Sequence, residues 1–164
     1  TFHPLPGLRD VVGRLLDVDE YLAATVFHAP RPFSPEDLLD YMASLSAPFP
    51  ESIELARRIG DLGHVRLFTL NNESEALNLH RIAHFGLRPI FLGFLSSCWL
   101  ASRKPAPAIY ERALAITHSD PEHALLVDDR EENLVTARAL GIRTVHFTGA
   151  APELEAALVA EGVL

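Results

Sequence analysis

The sequence has little of three things that define other protein classes: cysteine, long apolar runs and basic charge. Cys98 is the only cysteine among 164 residues, so no disulfide can form within the chain, and a reducing, cytoplasmic location is expected. The longest apolar candidate, 89–95, has the length of a strand and is far below the ~20 residues of a membrane helix. The opening TFHPLPGLRD lacks the pattern of a signal peptide.

Basic residues are outnumbered, with 14 Lys and Arg against 22 Asp and Glu and a net charge of −8. Nucleic acids and anionic membranes both require a basic surface, so neither is an expected partner. A phosphorylated small molecule remains compatible with this charge, because a bound divalent cation can reverse the sign of a site locally.

Residues 1–47 have the pattern of a small helical unit. Apolar residues recur at helical spacing over 8–16, and Ser34-Pro35-Glu36-Asp37 is a typical helix start, with Ser34 as N-cap and acids in the first turn. The second helix is predicted to reach about Ser46. The segment APFPES then forms a linker.

From residue 48 onward, short apolar runs alternate with helical patterns. The predicted strands are 65–70, 90–95, 124–127 and 143–147. The predicted helices are 51–59, 73–85, 105–116, 131–140 and 152–159. This alternation predicts βαβ units and a parallel sheet in an α/β fold.

Polar residues follow these strands where parallel sheets bind ligands, outside the carboxyl ends. Asp128 and Asp129 close the strand 124–127, and neighbouring acids in a sheet interior need a cation or a lysine. Mg²⁺ suits such carboxylate oxygens, and Lys104 precedes a helix that starts with proline. The competing interpretation is that one acid caps the next helix while the other acid and the lysine are solvated.

Three segments carry a family resemblance. SRKPAPAIYERAL, followed by HALLVDDREENLVTARALGIRTVHFTG, resembles the third and fourth signature motifs of the haloacid dehalogenase (HAD) superfamily, and LFTLNNES resembles its second motif. The similarity covers residues 50 to about 150. It implies a three-layer α/β/α Rossmann-like core over 48–164, preceded by an N-terminal helical cap over 1–47.

The resemblance also implies roles for charged residues. Lys104 would neutralise the phosphoryl group and the aspartyl phosphate. Asp129 would hold Mg²⁺, with Asp128 beside it as a further ligand or as a partner of the metal site.

Three asparagines take further implied roles. Asn71 stands where the family has serine or threonine, and its amide can still donate to a phosphoryl oxygen. Asn72 matches the usual asparagine that positions the phosphoryl group. Asn133 replaces an aspartate of many relatives and would hydrogen-bond around the metal site.

The family's nucleophile is missing from the expected place. That aspartate ends a first strand, in an Asp-x-Asp motif followed by a glycine turn. Asp17-Val18-Asp19 has the spacing but follows a helical pattern and lacks the turn. In the family this first strand lies between the strand ending in Asn71 and the strand ending in Asp128, so its absence leaves a gap in the sheet.

The sequence therefore favours a Mg²⁺-dependent phosphatase of a small phosphorylated metabolite, with this chain an N-terminally truncated piece that is inactive alone. Two alternatives are a natural truncation acting as a silent binding or homodimerisation module and, least favoured, an N-terminal segment that supplies a substitute strand. Within the family, 2-haloacid dehalogenase activity is less favoured, because the Asp128-Asp129 pair suits a metal ion and dehalogenation needs none.

Overall fold

The computed structural model describes residues 18–164, and eight α-helices and four strands lie in that part of the chain. The helices are α1 (Val18–Thr25), α2 (Pro35–Ser44), α3 (Pro50–Asp61), α4 (Glu75–His84), α5 (Ser97–Leu100), α6 (Pro107–Thr117), α7 (Glu131–Ala139) and α8 (Ala151–Ala160). The strands are β1 (Phe68–Asn71), β2 (Gly93–Ser96), β3 (Leu125–Asp128) and β4 (Arg143–His146). A 3₁₀ turn covers Pro121–His123.

The strands form two parallel pairs. β1 pairs with β2, in a register that sets Asn71 opposite Ser96, and β3 pairs with β4, with Asp128 opposite His146. The predicted parallel α/β arrangement is therefore confirmed. No strand within residues 18–164 joins β1 to β3, so the sheet consists of two halves.

Helices cover both faces of these strands. One apolar cluster joins α6 and α7 to Leu70 of β1 and Leu126 of β3. A second cluster joins α3 and α8 to Leu125, the neighbour of Leu126 on β3. Because successive side chains of a strand point to opposite faces, the two clusters lie on opposite sides of the sheet, as the predicted three-layer fold requires.

Local sequence signals account for several helix ends. Ser34 caps α2 as predicted, and it exchanges hydrogen bonds with Asp37 in a complete capping box. Gly141, with φ +84°, ends α7 at the predicted place, since glycine adopts this left-handed conformation without strain. The helix predicted over 51–59 is longer than expected: α3 continues through Gly60 to Asp61, and the left-handed glycine is Gly63, with φ +75°.

The first two strands begin later than predicted. β1 starts at Phe68 rather than at residue 65, and β2 starts at Gly93 rather than at residue 90. Before β2, the amides of Ile90 and Phe91 both donate to the Leu87 carbonyl, which makes a turn of a segment whose composition resembles a strand. An apolar run alone cannot distinguish the two conformations.

The predicted helix over 8–16 lies outside the described residues. Within residues 18–164, none of the helices is both long and apolar enough to span a bilayer.

Candidate active site

A buried ion pair lies at the carboxyl ends of β1 and β3. Lys104 Nζ donates to Asp128 Oδ2 at 2.5 Å and to the backbone carbonyl of Leu70 at 2.6 Å. The side chains of Lys104 and Asp128 are 10% and 3% exposed. Lys104, the only lysine of the sequence, thus connects the two halves of the sheet.

The second carboxylate oxygen of Asp128 is held from the start of α7. Oδ1 accepts from Asn133 Nδ2 at 2.8 Å and from the backbone amide of Arg130 at 2.9 Å. Burial alone would raise the pKa of Asp128, but the hydrogen bonds from Lys104, Asn133 and Arg130 outweigh it and hold that pKa below its ordinary value. Asp128 is therefore an ionised carboxylate with a fixed orientation.

Tyr110 supports this arrangement from α6. Its hydroxyl donates to the carbonyl of Asn133 at 3.0 Å. Burial, together with the charge of Asp128, raises the pKa of Tyr110 to about 12. The phenol consequently stays protonated and keeps its hydrogen bond to α7.

Asn72 fixes the backbone of Lys104 with two hydrogen bonds. Its Nδ2 donates to the Lys104 carbonyl, and its Oδ1 accepts from the Lys104 amide, both at 2.8 Å. This contact spans 32 residues of sequence and sets the direction from which the lysine enters the site. In this geometry Asn72 positions Lys104.

Asn71 faces a different neighbour. Its Nδ2 donates to Asn78 Oδ1 of α4 at 2.9 Å, whereas Asn71 Oδ1 and Asn78 Nδ2 have no partner among the described residues. The structure therefore brings Lys104, Asp128 and Asn72 together and turns the Asn71 amide toward α4.

An open cavity of about 590 Å³ lies beside the ion pair. Its lining comprises Phe49, Lys104, Val127, Asp128, Asp129, His146, Phe147, Thr148 and Gly149. Asp129 is exposed, and its carboxylate accepts no hydrogen bond from the described residues. It is therefore the carboxylate in this cavity that is free to bind a cation.

Three residues of the cavity were missed by sequence reasoning. His146 Nε2 lies 3.0 Å from the Asp129 carbonyl oxygen, and the rings of Phe49 and Phe147 meet edge to face at 6.0 Å. The position of His146 at the carboxyl end of β4 is a signal that could have identified it. Phe49 comes from the linker before α3, where no motif marks it.

The charges of the site favour a cation. Asp128 and Asp129 together outweigh the single charge of Lys104. No group of three or more His, Cys, Asp or Glu side chains is gathered within the described part of the chain, so Asp128 and Asp129 provide two carboxylates.

Of the Asp17-Val18-Asp19 motif, Asp17 lies outside the described residues, and Val18 is the first residue of helix α1.

Similar proteins have been named as phosphatases. The chain is 31% identical over 106 residues to a phosphoglycolate phosphatase of Mesorhizobium japonicum, covering 65% of this chain and 46% of that one. It is 26% identical over 109 residues to a phosphoglycolate phosphatase of Neisseria gonorrhoeae, covering 66% and 46%. The chain thus spans about half the length of these curated relatives.

Solved structures share the fold. A predicted HAD-like family hydrolase of Porphyromonas gingivalis superposes with a TM-score of 0.75 at 20% identity, over 87% of this chain and 74% of that one. A HAD family enzyme of Bacteroides thetaiotaomicron, solved with magnesium and inorganic phosphate, gives 0.70 at 17% identity, over 82% and 71%. The haloacid dehalogenase-like hydrolase family model matches residues 6–141. With the fold and these matches in agreement, the chain belongs to the haloacid dehalogenase-like hydrolases.

Proposed function

We propose that the complete protein is a Mg²⁺-dependent phosphatase that hydrolyses a small phosphate monoester through an aspartyl phosphate. The observation that supports this most strongly is the position of Lys104 Nζ, held between the Leu70 carbonyl and Asp128 beside the open cavity. An ammonium group has three N–H donors, and two of them are used by these contacts. The third is left for a phosphoryl oxygen.

The roles of the other residues follow from their contacts. Asp129 would bind Mg²⁺ directly, because its carboxylate is exposed and carries no competing hydrogen bond. Asp128 would act beside the metal, since both of its oxygens already accept bonds from Lys104, Asn133 and Arg130. Bound Mg²⁺ would supply positive charge to the transferring phosphoryl group.

Two asparagines would contribute in different ways. Asn72 would hold Lys104 in place through its backbone. Asn71 would need to turn its amide from Asn78 to reach a phosphoryl oxygen, which makes it the weaker candidate for a substrate contact.

The nucleophilic aspartate would come from a further strand, outside the described residues. Its carboxylate would attack phosphorus, the ester P–O bond would break, and water would then hydrolyse the aspartyl phosphate. We propose that residues 1–47 form part of a helical cap and that residues 48–164 form the core to which this strand would belong. The length of the curated relatives, about twice the matched region, is compatible with such a segment.

The names of the relatives support a small substrate. The phosphoglycolate phosphatases of M. japonicum and N. gonorrhoeae act, by name, on a small phosphorylated acid, and we propose a metabolite of that class here. The acidic composition supports a protein without nucleic acid or membrane partners, and the single free cysteine supports a cytoplasmic one.

The test is turnover of p-nitrophenyl phosphate by the full-length protein. Activity should require Mg²⁺, disappear with EDTA and return when Mg²⁺ is added back. Asp129→Ala should reduce kcat at least about a hundredfold, whereas Asp120→Ala, which removes a highly exposed acid outside the cavity, should leave kcat unchanged.

Two results would contradict the proposal. Absence of turnover in the full-length protein with Mg²⁺ would favour a silent binding or dimerisation module. Halide release from 2-chloropropionate without Mg²⁺, in place of phosphate release, would assign the site to dehalogenation.

A further inference from the structure

Two histidines of α4 form a pair that lies apart from the active site. His80 and His84 are four residues apart on this helix, and side chains at that spacing are neighbours on one face. Their imidazole rings are stacked, with centroids 5.2 Å apart and planes 12° apart. His84 is exposed and His80 is half-buried, so solvent reaches this histidine pair. Neither residue lines the active-site cavity.

The ring nitrogens of the histidine pair are open to a ligand. Among the described residues, the imidazoles that hydrogen-bond or form an ion pair are those of His28, His64, His123 and His146. His80 and His84 contact rings instead: each other and, for His84, also Phe85, edge to face at 5.3 Å. A neutral imidazole has one nitrogen lone pair, and it is the commonest metal ligand in proteins.

The distance between the two rings matches that of two imidazoles on one metal ion. A metal–nitrogen bond of about 2.1 Å, with about 1.1 Å more to the ring centre, places each centroid about 3.2 Å from the ion. Two imidazoles at an angle of about 90–110° on the ion then have centroids about 4.5–5.2 Å apart. The separation in the structure, 5.2 Å, lies at the tetrahedral end of this range.

The orientation of the rings is what binding would change. A metal ion lies close to the plane of the imidazole that binds it, so two stacked rings do not both point at one ion. Rotation about the Cβ–Cγ bond turns the nitrogens toward each other, and this torsion of histidine is broad. The exposure of His84 leaves space for the rotation.

The charges around the histidine pair do not oppose a cation. Arg81 follows His80 in sequence, but its guanidinium forms an ion pair with Glu73 and donates to Ser46 Oγ at 3.1 Å. His84 is the last residue of α4, and the carbonyl end of a helix carries partial negative charge that favours a cation.

We propose that His80 and His84 form a binding site for one divalent transition-metal ion of the class of Zn²⁺, Ni²⁺ and Cu²⁺. Imidazole suits these ions, whereas Mg²⁺ takes oxygen ligands, so this site differs in its metal from the one proposed at Asp129. No third His, Cys, Asp or Glu side chain joins the pair within residues 18–164, so water would complete the coordination. The ion would bridge two successive turns of α4, whether or not the protein is a phosphatase.

The test is a calorimetric titration of the full-length protein with Ni²⁺ in excess Mg²⁺. His84→Gln should remove one equivalent of bound Ni²⁺ or weaken its binding at least about tenfold. His28→Gln is the matched control, because it removes an exposed histidine outside the pair, and it should change binding less than about twofold. The same equivalent should bind to Asp129→Ala, which lacks the carboxylate proposed to hold Mg²⁺.

Moving one histidine tests the spacing. When added to His84→Gln, Ala76→His restores a four-residue spacing to His80, at an exposed position one turn earlier in α4. It should recover Ni²⁺ binding to within about tenfold of the unaltered protein. Leu79→His is the matched control, since Leu79 is 44% exposed but adjacent to His80, and sequence neighbours do not face each other on a helix. It should not recover binding.

Nuclear magnetic resonance of the unaltered protein needs no variant to fold. On addition of diamagnetic Zn²⁺, the ring proton signals of His80 and His84 should shift together, whereas those of His28 should not. Circular dichroism checks that the variants used in calorimetry keep their helices.

Four results would overturn the proposed site. Unchanged Ni²⁺ binding in His84→Gln would place the ion elsewhere. Recovery by Leu79→His equal to that by Ala76→His would show that the spacing is irrelevant, and a Zn²⁺ shift of one histidine alone would indicate a single ligand. One ion per two chains, with a dimeric mass, would assign the ion to a contact between copies. Loss of the phosphatase proposal, by contrast, would leave the histidine site unaffected.

Discussion

Replacing Lys104 with methionine removes one charge from the buried ion pair while keeping an unbranched side chain of similar length. The carboxylate of Asp128, 3% exposed, would then remain in the interior without its cationic partner. Breaking a buried pair in this way costs about 3–5 kcal/mol of the free energy of unfolding. Because Asp128 keeps the hydrogen bonds from Asn133 and Arg130, we expect the lower end, about 3 kcal/mol at pH 7.

The pH dependence identifies the cause. In the unaltered chain the pKa of Asp128 lies below its unfolded value, so its contribution is present above about pH 4 and is lost as pH falls further. Without Lys104, burial becomes the dominant influence and should raise the pKa of Asp128. Protonation then relieves the buried charge, so the penalty of Lys104→Met should shrink as pH falls from 7 to 5.

Urea unfolding followed by circular dichroism measures both effects. The matched control is Arg138→Met, which removes an exposed ion pair with Glu131. The side chain of Arg138 is 45% exposed and that of Glu131 is 55% exposed. It should cost less than about 1 kcal/mol at any pH in this range. A double-mutant cycle with Asp128→Asn should recover most of the loss, since the buried charge is then absent as well.

The reasoning would be refuted by either of two results. The first is a cost of Lys104→Met that does not exceed that of Arg138→Met at pH 7. The second is a cost that stays constant between pH 5 and 8, because a penalty from a buried carboxylate must depend on its protonation.

Two further variants test the contacts around the pair. Tyr110→Phe removes a phenol whose pKa is raised to about 12 in the folded chain. Because the phenol of the unfolded chain ionises first, the free energy of unfolding of the unaltered chain should fall between pH 9 and 12 by roughly 2–3 kcal/mol more than that of the variant. Urea unfolding curves that change identically with alkaline pH would contradict this. Asn72→Ala removes two hydrogen bonds to the backbone of Lys104, so it should lower the free energy of unfolding in urea by about 1–3 kcal/mol and should reduce kcat in the full-length protein. A loss below about 0.5 kcal/mol would show that the contact does not position the lysine.

Much of the fold was predictable because its signals are local. The capping box of Ser34 and Asp37 and the left-handed glycine at Gly141 are determined within a few residues, and the structure has both. The alternation of strands and helices predicted parallel pairing, which β1–β2 and β3–β4 show.

The site was predictable only from one general rule, that a parallel sheet binds ligands outside the carboxyl ends of its strands. That rule places Lys104 and Asp128 at one edge of the sheet, and they meet there at 2.5 Å. It does not determine how a side-chain amide is oriented. Asn71 donates to Asn78 of α4, and this contact depends on how α4 packs against β1, which the spacing of residues in the sequence does not reveal. Phe49 was missed for a similar reason, since its place beside Phe147, the residue after β4, depends on how the linker before α3 packs.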